Sequence, residues 1–186
     1  MSQVQASMAE TIAIEVVDVH AMVRSLGIDV WIDGGWGVDA LLGKQTRLHA
    51  DLDMVIQEKD LPVLRRLLEE RGYGDVERDD TSPWNFVLGD DKGHEVDVHA
   101  MVLDSEGNGV YGPRGAVYQA PALSRTGTIH GHTVRCISAE YLVKFHTGYE
   151  LHDSDFSDVA ALCGRFGIEY PKEYAHLKRA DESRYS

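Results

Sequence analysis

Two acids one residue apart, Asp51 and Asp53, open the run D-L-D-M-V-I. Side chains alternate faces along a strand, so these two carboxylates point the same way. Unpartnered, they repel and raise one another's pKa. A hard divalent cation such as Mg²⁺, which takes oxygen ligands, removes that conflict. A third acid, Asp97, interrupts the apolar alternation of E-V-D-V-H-A-M-V. Facing inward it costs free energy unless it is paired or metal-bound; on an edge strand it would face water instead. Gly34 and Gly35 follow the strand-like run Val30-Trp31-Ile32 and open a helical pattern. The free N–H groups of such a helix start can take phosphate oxygens, although a plain tight turn uses the same residues. Lys44, Arg47 and His49 fill the basic link before Asp51, either within reach of a triphosphate or as a solvated loop.

The elements that must position these groups can be read from periodicity. Residues 6–26 carry Ile12, Val16, Val19 and Val23 at helical spacing, with Gly27 as a stop. The Val30–Ile32 strand, the glycine-opened helix and an Asp51–Ile56 strand follow. Leu61, Leu64, Leu67 and Leu68 make one face of an amphipathic helix ended by Gly72. Residues 85–88 and 95–102 form a hairpin around the turn Asp90-Asp91-Lys92-Gly93. Its second strand turns Val96, Val98 and Ala100 one way and Glu95, Asp97 and His99 the other. The stretch 104–127 is rich in Gly, Pro and Ser and reads as short strands and loops at a site edge. A turn at His130-Gly131-His132 leads to a short strand, 133–137. Ser138 caps a helix running to about Tyr149, Asp155 to Phe166 forms another, and a last helix runs from Pro171 to about Glu182. The pattern predicts an α+β fold with a mixed sheet flanked by helices, divided into a core over residues 1–103 and substrate loops plus a mostly helical part over 104–186.

At 186 residues the chain can bury a proper core. Its formal net charge of −13 argues against a nucleic-acid backbone as partner, which needs clustered Lys and Arg. The same charge suits a cationic small molecule, or metal ions carrying an anionic nucleotide. No apolar run approaches the roughly 20 residues that span a bilayer, and the first ten residues lack the features of a signal peptide, so a cytoplasmic protein is expected. Cys136 and Cys163 are expected to be buried free thiols. His130 and His132, flanking a glycine, have no partner cluster for zinc.

Gly-Gly, then D-x-D, then one strand Asp further on resembles the DNA polymerase beta-type nucleotidyltransferase superfamily. Within it, W-I-D-G-G-W-G-V-D-A-L-L-G-K-Q-T-R-L-H-A-D-L-D resembles the small antibiotic nucleotidyltransferases, both lincosamide nucleotidyltransferases and aminoglycoside 2″-adenylyltransferases. V-D-V-H, R-C-I-S, F-H-T-G-Y-E-L and D-S-D-F-S-D-V are more similar to the lincosamide enzymes. Most of residues 28–165 is covered, the segment 104–127 least well.

The resemblance implies a polymerase-beta-like nucleotidyltransferase fold and a cytoplasmic enzyme that moves AMP from ATP, or another nucleoside monophosphate, onto a hydroxyl of a small antibiotic. Two Mg²⁺ ions are implied. Asp51 and Asp53 would hold metal and triphosphate. Asp97 would share the second metal and take the acceptor's proton. Gly34 and Gly35 would present N–H groups to the phosphates, and Arg47, His49 and more weakly Lys44 would neutralise pyrophosphate. Trp84, Tyr111, His146 and Tyr149 are candidate walls of the acceptor or base pocket; on a helix, His146 and Tyr149 would share a face. Asp155 and Asp158 either orient substrate or cap a helix. Trp36 stands where the wider superfamily carries a phosphate-contacting serine, and Ser154 where some relatives carry lysine. A lincosamide is the expected acceptor and an aminoglycoside the alternative: an apolar cleft wall beside Asp97 would favour the first, a ring of carboxylates the second. A nucleotidyltransferase-fold toxin–antitoxin or regulatory protein that modifies protein is the rival of a different class. A homodimer is compatible with either.

Overall fold

The computed structural model describes residues 15–113 and 115–176. One sheet organises them. Its strands are β1 (Val30–Ile32), β2 (Asp51–Gln57), β3 (Gly74–Val76), β4 (Asn85–Gly89), β5 (Glu95–Leu103), β6 (Gly109–Tyr111), β7 (Ala116–Tyr118), β8 (Arg125–Ile129) and β9 (His132–Cys136). The main path runs β3-β4-β5-β2-β1-β9-β8, with the β6–β7 hairpin attached to β5. β2 and β5 are parallel, as are β1 and β9; the remaining pairs are antiparallel, so the sheet is mixed.

Helices cover both faces. α1 occupies 15–25 among the described residues, and the expected turns over 6–14 lie outside them. α2 spans Gly34–Leu42, α3 Leu61–Glu69, α4 Ala139–Phe145 and α5 Asp153–Phe166. Strand alternation decides which face each residue serves. Val30 and Ile32 of β1, Leu52, Met54 and Ile56 of β2, and Val96 and Val98 of β5 pack against α1 and α3. Trp31, Val55 and Met101 turn to the other face, where α4 and α5 supply Leu142, Val143, Val159 and Leu162. Burying side chains of this size contributes roughly 1.5–3 kcal/mol each. Asp51 and Asp53 share the α4/α5 face with Val55, and Asp97 and His99 share it with Met101, so the period of two that builds the core also gathers the polar groups on one side.

Several expectations change. Residues 104–136 hold the short strands expected there, as β6, β7 and β9, and add β8, which the sequence did not single out. β8 was unforeseen because R-T-G-T-I shows little apolar alternation; its partner β9 and the turn at His130-Gly131 recruit it. α4 stops at Phe145 rather than near Tyr149, with His146 as its cap and Gly148 at a φ of 87° just beyond. His146 and Tyr149 therefore do not share a helix face. After Pro171 a short 3₁₀ turn, Lys172–Tyr174, leads into helix at 175–176, and the remainder of the expected last helix lies outside the described residues. Both cysteines are buried free thiols.

Candidate active site

β5 lies between β4 and β2, so Asp97 is not on an edge strand. In-register parallel pairing sets Asp53 beside Asp97 and Asp51 beside Glu95. Four acids thus meet on two neighbouring strands. Glu95 is drawn off by Arg78, whose Nη2 lies 2.7 Å from each carboxylate oxygen. Asp53, Asp97 and His99 are left as a compact group, with one ligand atom from each within 4.8 Å of the others. Asp97 Oδ1 is buried and has no hydrogen-bond partner among the described residues. An orphaned carboxylate oxygen inside a cluster of ligating groups is what a divalent cation would satisfy. Asp51 stands one pleat further out on the same face, exposed and outside the compact group.

The titration behaviour follows from this crowding. Burial, reinforced by Asp53, Asp51 and Asp80 and opposed by His99, pushes Asp97 up to about 6. Burial and the neighbouring Asp53 and Glu95 likewise raise Asp51. Burial alone would lower His99, but the facing Asp53, Asp97 and Asp33 carboxylates outweigh it and hold the imidazole up at about 9.

β1 delivers the chain to Asp33, the N-cap of α2, whose carboxylate accepts from the Gly34 N–H at 2.9 Å. Gly34 is left-handed, with a φ of 53°, and a Cβ there would stand 2.0 Å from Asp53 Oδ2. A Cβ on Gly35 would stand 2.3 Å from His49 Nδ1 and 2.6 Å from Arg47 Nη2. Side chains at these positions would displace the groups that make the site. Arg47 is held from the far end of the chain: its Nη2 donates to Asp158 Oδ2 of α5 at 2.8 Å. His49 is buried under the start of α2, with Nε2 2.5 Å from Asp39 Oδ2 and its ring 4.6 Å from that of Trp36. Trp36 points into the core and packs its ring against His49, so it presents no hydroxyl to the site.

A cavity of about 490 Å³ opens over this floor. Asp33, Gly34, Gly35, Arg47, Asp53 and His99 supply its polar lining. Tyr111, Tyr118, Val117, Leu142 and Phe145 give it an apolar and aromatic wall, and His146, Tyr149 and Asp155 complete the lining. Of the residues named from sequence, the structure therefore brings Gly34, Gly35, Arg47, Asp53, Tyr111, His146 and Tyr149 to the cavity, with Asp97 beside Asp53. Lys44 lines a separate small cavity with Gln45, Thr128 and His130. Trp84 lines another with Pro83, Val102 and Pro113. Asp155 caps α5, accepting from the His152 N–H at 2.7 Å, and also accepts from the Tyr149 hydroxyl at 2.9 Å; Asp158 caps nothing and pairs with Arg47.

Sequence reasoning did not name His99, Asp33, Tyr118 or the Arg47–Asp158 pair as site features. His99 was within reach, since it lies two residues beyond Asp97 and so on the same face. Asp33 precedes the glycines directly. The pairing of Arg47 with Asp158 joins residues 111 apart and has no local signal.

Among solved structures, the lincosamide antibiotic adenylyltransferase LnuA bound to lincomycin superposes with a TM-score of 0.69 at 28% identity, over 80% of this chain and 94% of that one. ANT(2″)-Ia in complex with adenylyl-2″-tobramycin shares the fold, with a TM-score of 0.67 at 22% identity over 95% of this chain and 99% of that one. The mixed sheet, with its acids on adjacent parallel strands and its glycine-opened helix, is thus a nucleotidyltransferase fold. Curated relatives agree. A lincosamide resistance protein of Staphylococcus haemolyticus is 33% identical over 138 residues, 73% of this chain and 84% of the relative. A 2″-aminoglycoside nucleotidyltransferase of Escherichia coli is 30% identical over 119 residues, 62% of each. The sequence profile of the aminoglycoside-2″-adenylyltransferase family matches residues 15–162, and the chain belongs to that family of antibiotic nucleotidyltransferases.

Proposed function

We propose that this protein transfers AMP from ATP to a hydroxyl of a lincosamide, releasing pyrophosphate, with Mg²⁺ as the divalent ion. The observation that carries the reading is the cavity itself: Asp53 lines it, with Asp97 beside Asp53 on the adjacent strand, and Val117, Leu142, Phe145 and Tyr118 give the same cavity an apolar wall. That wall supports a lincosamide over a polycationic aminoglycoside. Two of the carboxylates that line the cavity are already engaged, Asp33 by the Gly34 N–H and Asp155 by Tyr149 and the His152 N–H. They do not form an open ring for several ammonium groups.

In this reading the acceptor oxygen bonds to the α-phosphorus, the bond to the α–β bridging oxygen breaks, and pyrophosphate leaves. Asp97 takes the hydroxyl proton. Asp51, Asp53 and Asp97 would hold two Mg²⁺ ions, which neutralise charge on the attacking and leaving oxygens when bound. Gly35 and Arg47 flank the phosphates, and His49 supports them from beneath. Positioning and charge neutralisation carry such transfers. Residues 1–103 supply the nucleotide side and residues 104–186 the acceptor side. A homodimer is compatible with the reading. A cytoplasmic location, where ATP is available, belongs to the same reading, and no helix among the described residues is long and apolar enough to cross a membrane.

The test incubates the protein with ATP, Mg²⁺ and a panel of lincosamides and aminoglycosides and reads acceptor masses. A lincosamide gaining one AMP, with the gain lost in Asp97→Asn, supports the proposal. Unchanged turnover in that variant would remove Asp97 from its role. Transfer to aminoglycosides alone would overturn the choice of acceptor, and AMP transfer to protein without drug turnover would favour a regulatory enzyme.

A further inference from the structure

The geometry points to His99 as a third protein ligand of the ion held by Asp53 and Asp97, making that position a nitrogen–oxygen site that accepts Mg²⁺ but binds Mn²⁺, Co²⁺ or Zn²⁺ more tightly than carboxylates alone would. This rests on the reading above that the two carboxylates hold a divalent ion.

Three features of the structure carry the inference. First, β5 turns Asp97 and His99 to the same face, and His99 Nε2 lies 3.8 Å from Asp53 Oδ1 and 3.8 Å from Asp97 Oδ1. That spacing falls inside the roughly 4.2 Å that two opposed bonds of about 2.1 Å can span. It is too long for a charge-assisted hydrogen bond, which closes to about 2.7–2.9 Å, so the imidazole is not held in place by bonding to either carboxylate.

Second, the other ring nitrogen fixes the imidazole. His99 Nδ1 lies 2.8 Å from Asn85 Oδ1, its cross-strand partner on β4. The orientation of the Asn85 amide is itself set, because its Nδ2 donates to Asp80 Oδ2 at 3.0 Å and its Oδ1 also accepts from the Tyr111 hydroxyl at 2.9 Å. With the amide oxygen facing the ring, Nδ1 is the donor, and Nε2 is the nitrogen presented to the carboxylates. A histidine whose outer nitrogen donates to a fixed carbonyl while the inner one faces a cluster of acids has the outer-shell arrangement of a metal ligand.

Third, Asp97 Oδ1, one of the two oxygens that Nε2 faces, has no hydrogen-bond partner among the described residues. A histidine acting only as a counter-ion would be expected to close on that oxygen. The pair instead stands apart by the width of a coordination sphere. An all-oxygen site suits Mg²⁺, whereas an imidazole ligand favours first-row transition ions.

The full chain, stripped with a chelator, is titrated with Mn²⁺ and with Mg²⁺ by calorimetry, and bound Mn²⁺ is examined by electron spin-echo modulation for coupling to ¹⁴N. Wild type is expected to show imidazole nitrogen coupling and to bind Mn²⁺ more tightly than Mg²⁺. His99→Gln is expected to lose the coupling and about 10–100-fold in Mn²⁺ affinity, while Mg²⁺ binding changes far less. Asn85→Ala is expected to weaken Mn²⁺ binding and keep the coupling. The wild-type spectrum decides the matter even if His99→Gln fails to fold. Mn²⁺ bound without nitrogen coupling, alongside Mg²⁺-dependent AMP transfer, overturns the inference and leaves the proposed function standing. No Mn²⁺ binding alongside Mg²⁺ binding overturns the inference alone, and binding of neither ion with no AMP transfer overturns both.

Discussion

Arg47, in the loop before β2, is clamped by Asp158 in the middle of α5: Nη2 donates to Oδ2 at 2.8 Å, and Nε lies 3.3 Å from both carboxylate oxygens. The Asp158 side chain is 2% exposed, so its charge is answered within the fold. This pair ties the helical end of the chain to the start of α2, since Arg47 Nη2 lies 2.6 Å from where a Cβ on Gly35 would stand. Asp158→Asn keeps the shape and removes the charge that aims the guanidinium. The expected outcome is an ATP KM raised about tenfold, on the scale of losing an outer-shell partner, with the KM for the antibiotic little changed. Steady-state kinetics with each substrate varied in turn check this. An equal rise in both would mean that Asp158 only holds α5 in place.

Gly35 is defined by what surrounds it. A methyl there meets His49 and Arg47 at 2.3 and 2.6 Å, so Gly35→Ala must push both from the helix start. Turnover should fall by about 100-fold, the cost of an ångström-scale misplacement of catalytic groups. Gly164 in α5 makes the contrast, because a Cβ there meets nothing within 4 Å. Gly164→Ala should raise stability by about 0.5–1 kcal/mol through helix propensity and leave turnover unchanged. Thermal melts and initial rates on the two variants separate the effects.

The legible part of this fold is the part built from local period. D-L-D-M-V-I and E-V-D-V-H-A-M-V declare both their strands and the face that carries the acids, because alternation fixes core and site together. Parallel pairing in register, which brings Asp53 to Asp97, is a tertiary fact that no local pattern encodes. The same holds for Arg47 with Asp158. β8 was hidden for a different reason, since its edge position asks little of its sequence. Trp84 and Tyr111 show how register decides between similar candidates. Tyr111 reaches Asn85 beside His99, whereas Trp84 turns into another cavity with Pro83 and Pro113. Lys44 differs from Arg47 because the loop that carries them is pinned by Asp39, which accepts from Thr46 N at 2.9 Å, and leaves Lys44 on the far side.

Asp51 carries the cost of the metal-free site. Burial, Asp53 and Glu95 raise its pKa, so its charged form is disfavoured in the fold. For an acid whose folded pKa is raised, the destabilisation sets in as pH rises above the unfolded pKa and is complete above the folded one. Asp51→Asn should therefore raise the melting temperature of the metal-free protein at pH 7.5 by about 1–2 °C, the scale of an exposed like-charge contact. It should also shrink the stabilisation that added Mg²⁺ gives wild type, since an ion that binds only the folded state stabilises by mass action. Melting curves with chelator and with Mg²⁺ read both effects. A lower melting temperature for the metal-free variant would contradict the account.

His20 is expected to make the fold sensitive to acid. It is buried on α1, with Nε2 unpartnered among the described residues. Burial, aided by Arg24 and Arg135, lowers its pKa to about 4. The folded state therefore resists a proton that the unfolded chain takes up near the ordinary histidine value of about 6.5. A group held below its unfolded pKa stabilises the fold above that value and loses the contribution as pH falls toward the folded one. Wild type should accordingly lose melting temperature between pH 7 and pH 5. In His20→Gln, which keeps a polar side chain of similar bulk and cannot take the charge, the loss over the same interval should be smaller. Parallel acid dependence in the two proteins would place the sensitivity elsewhere.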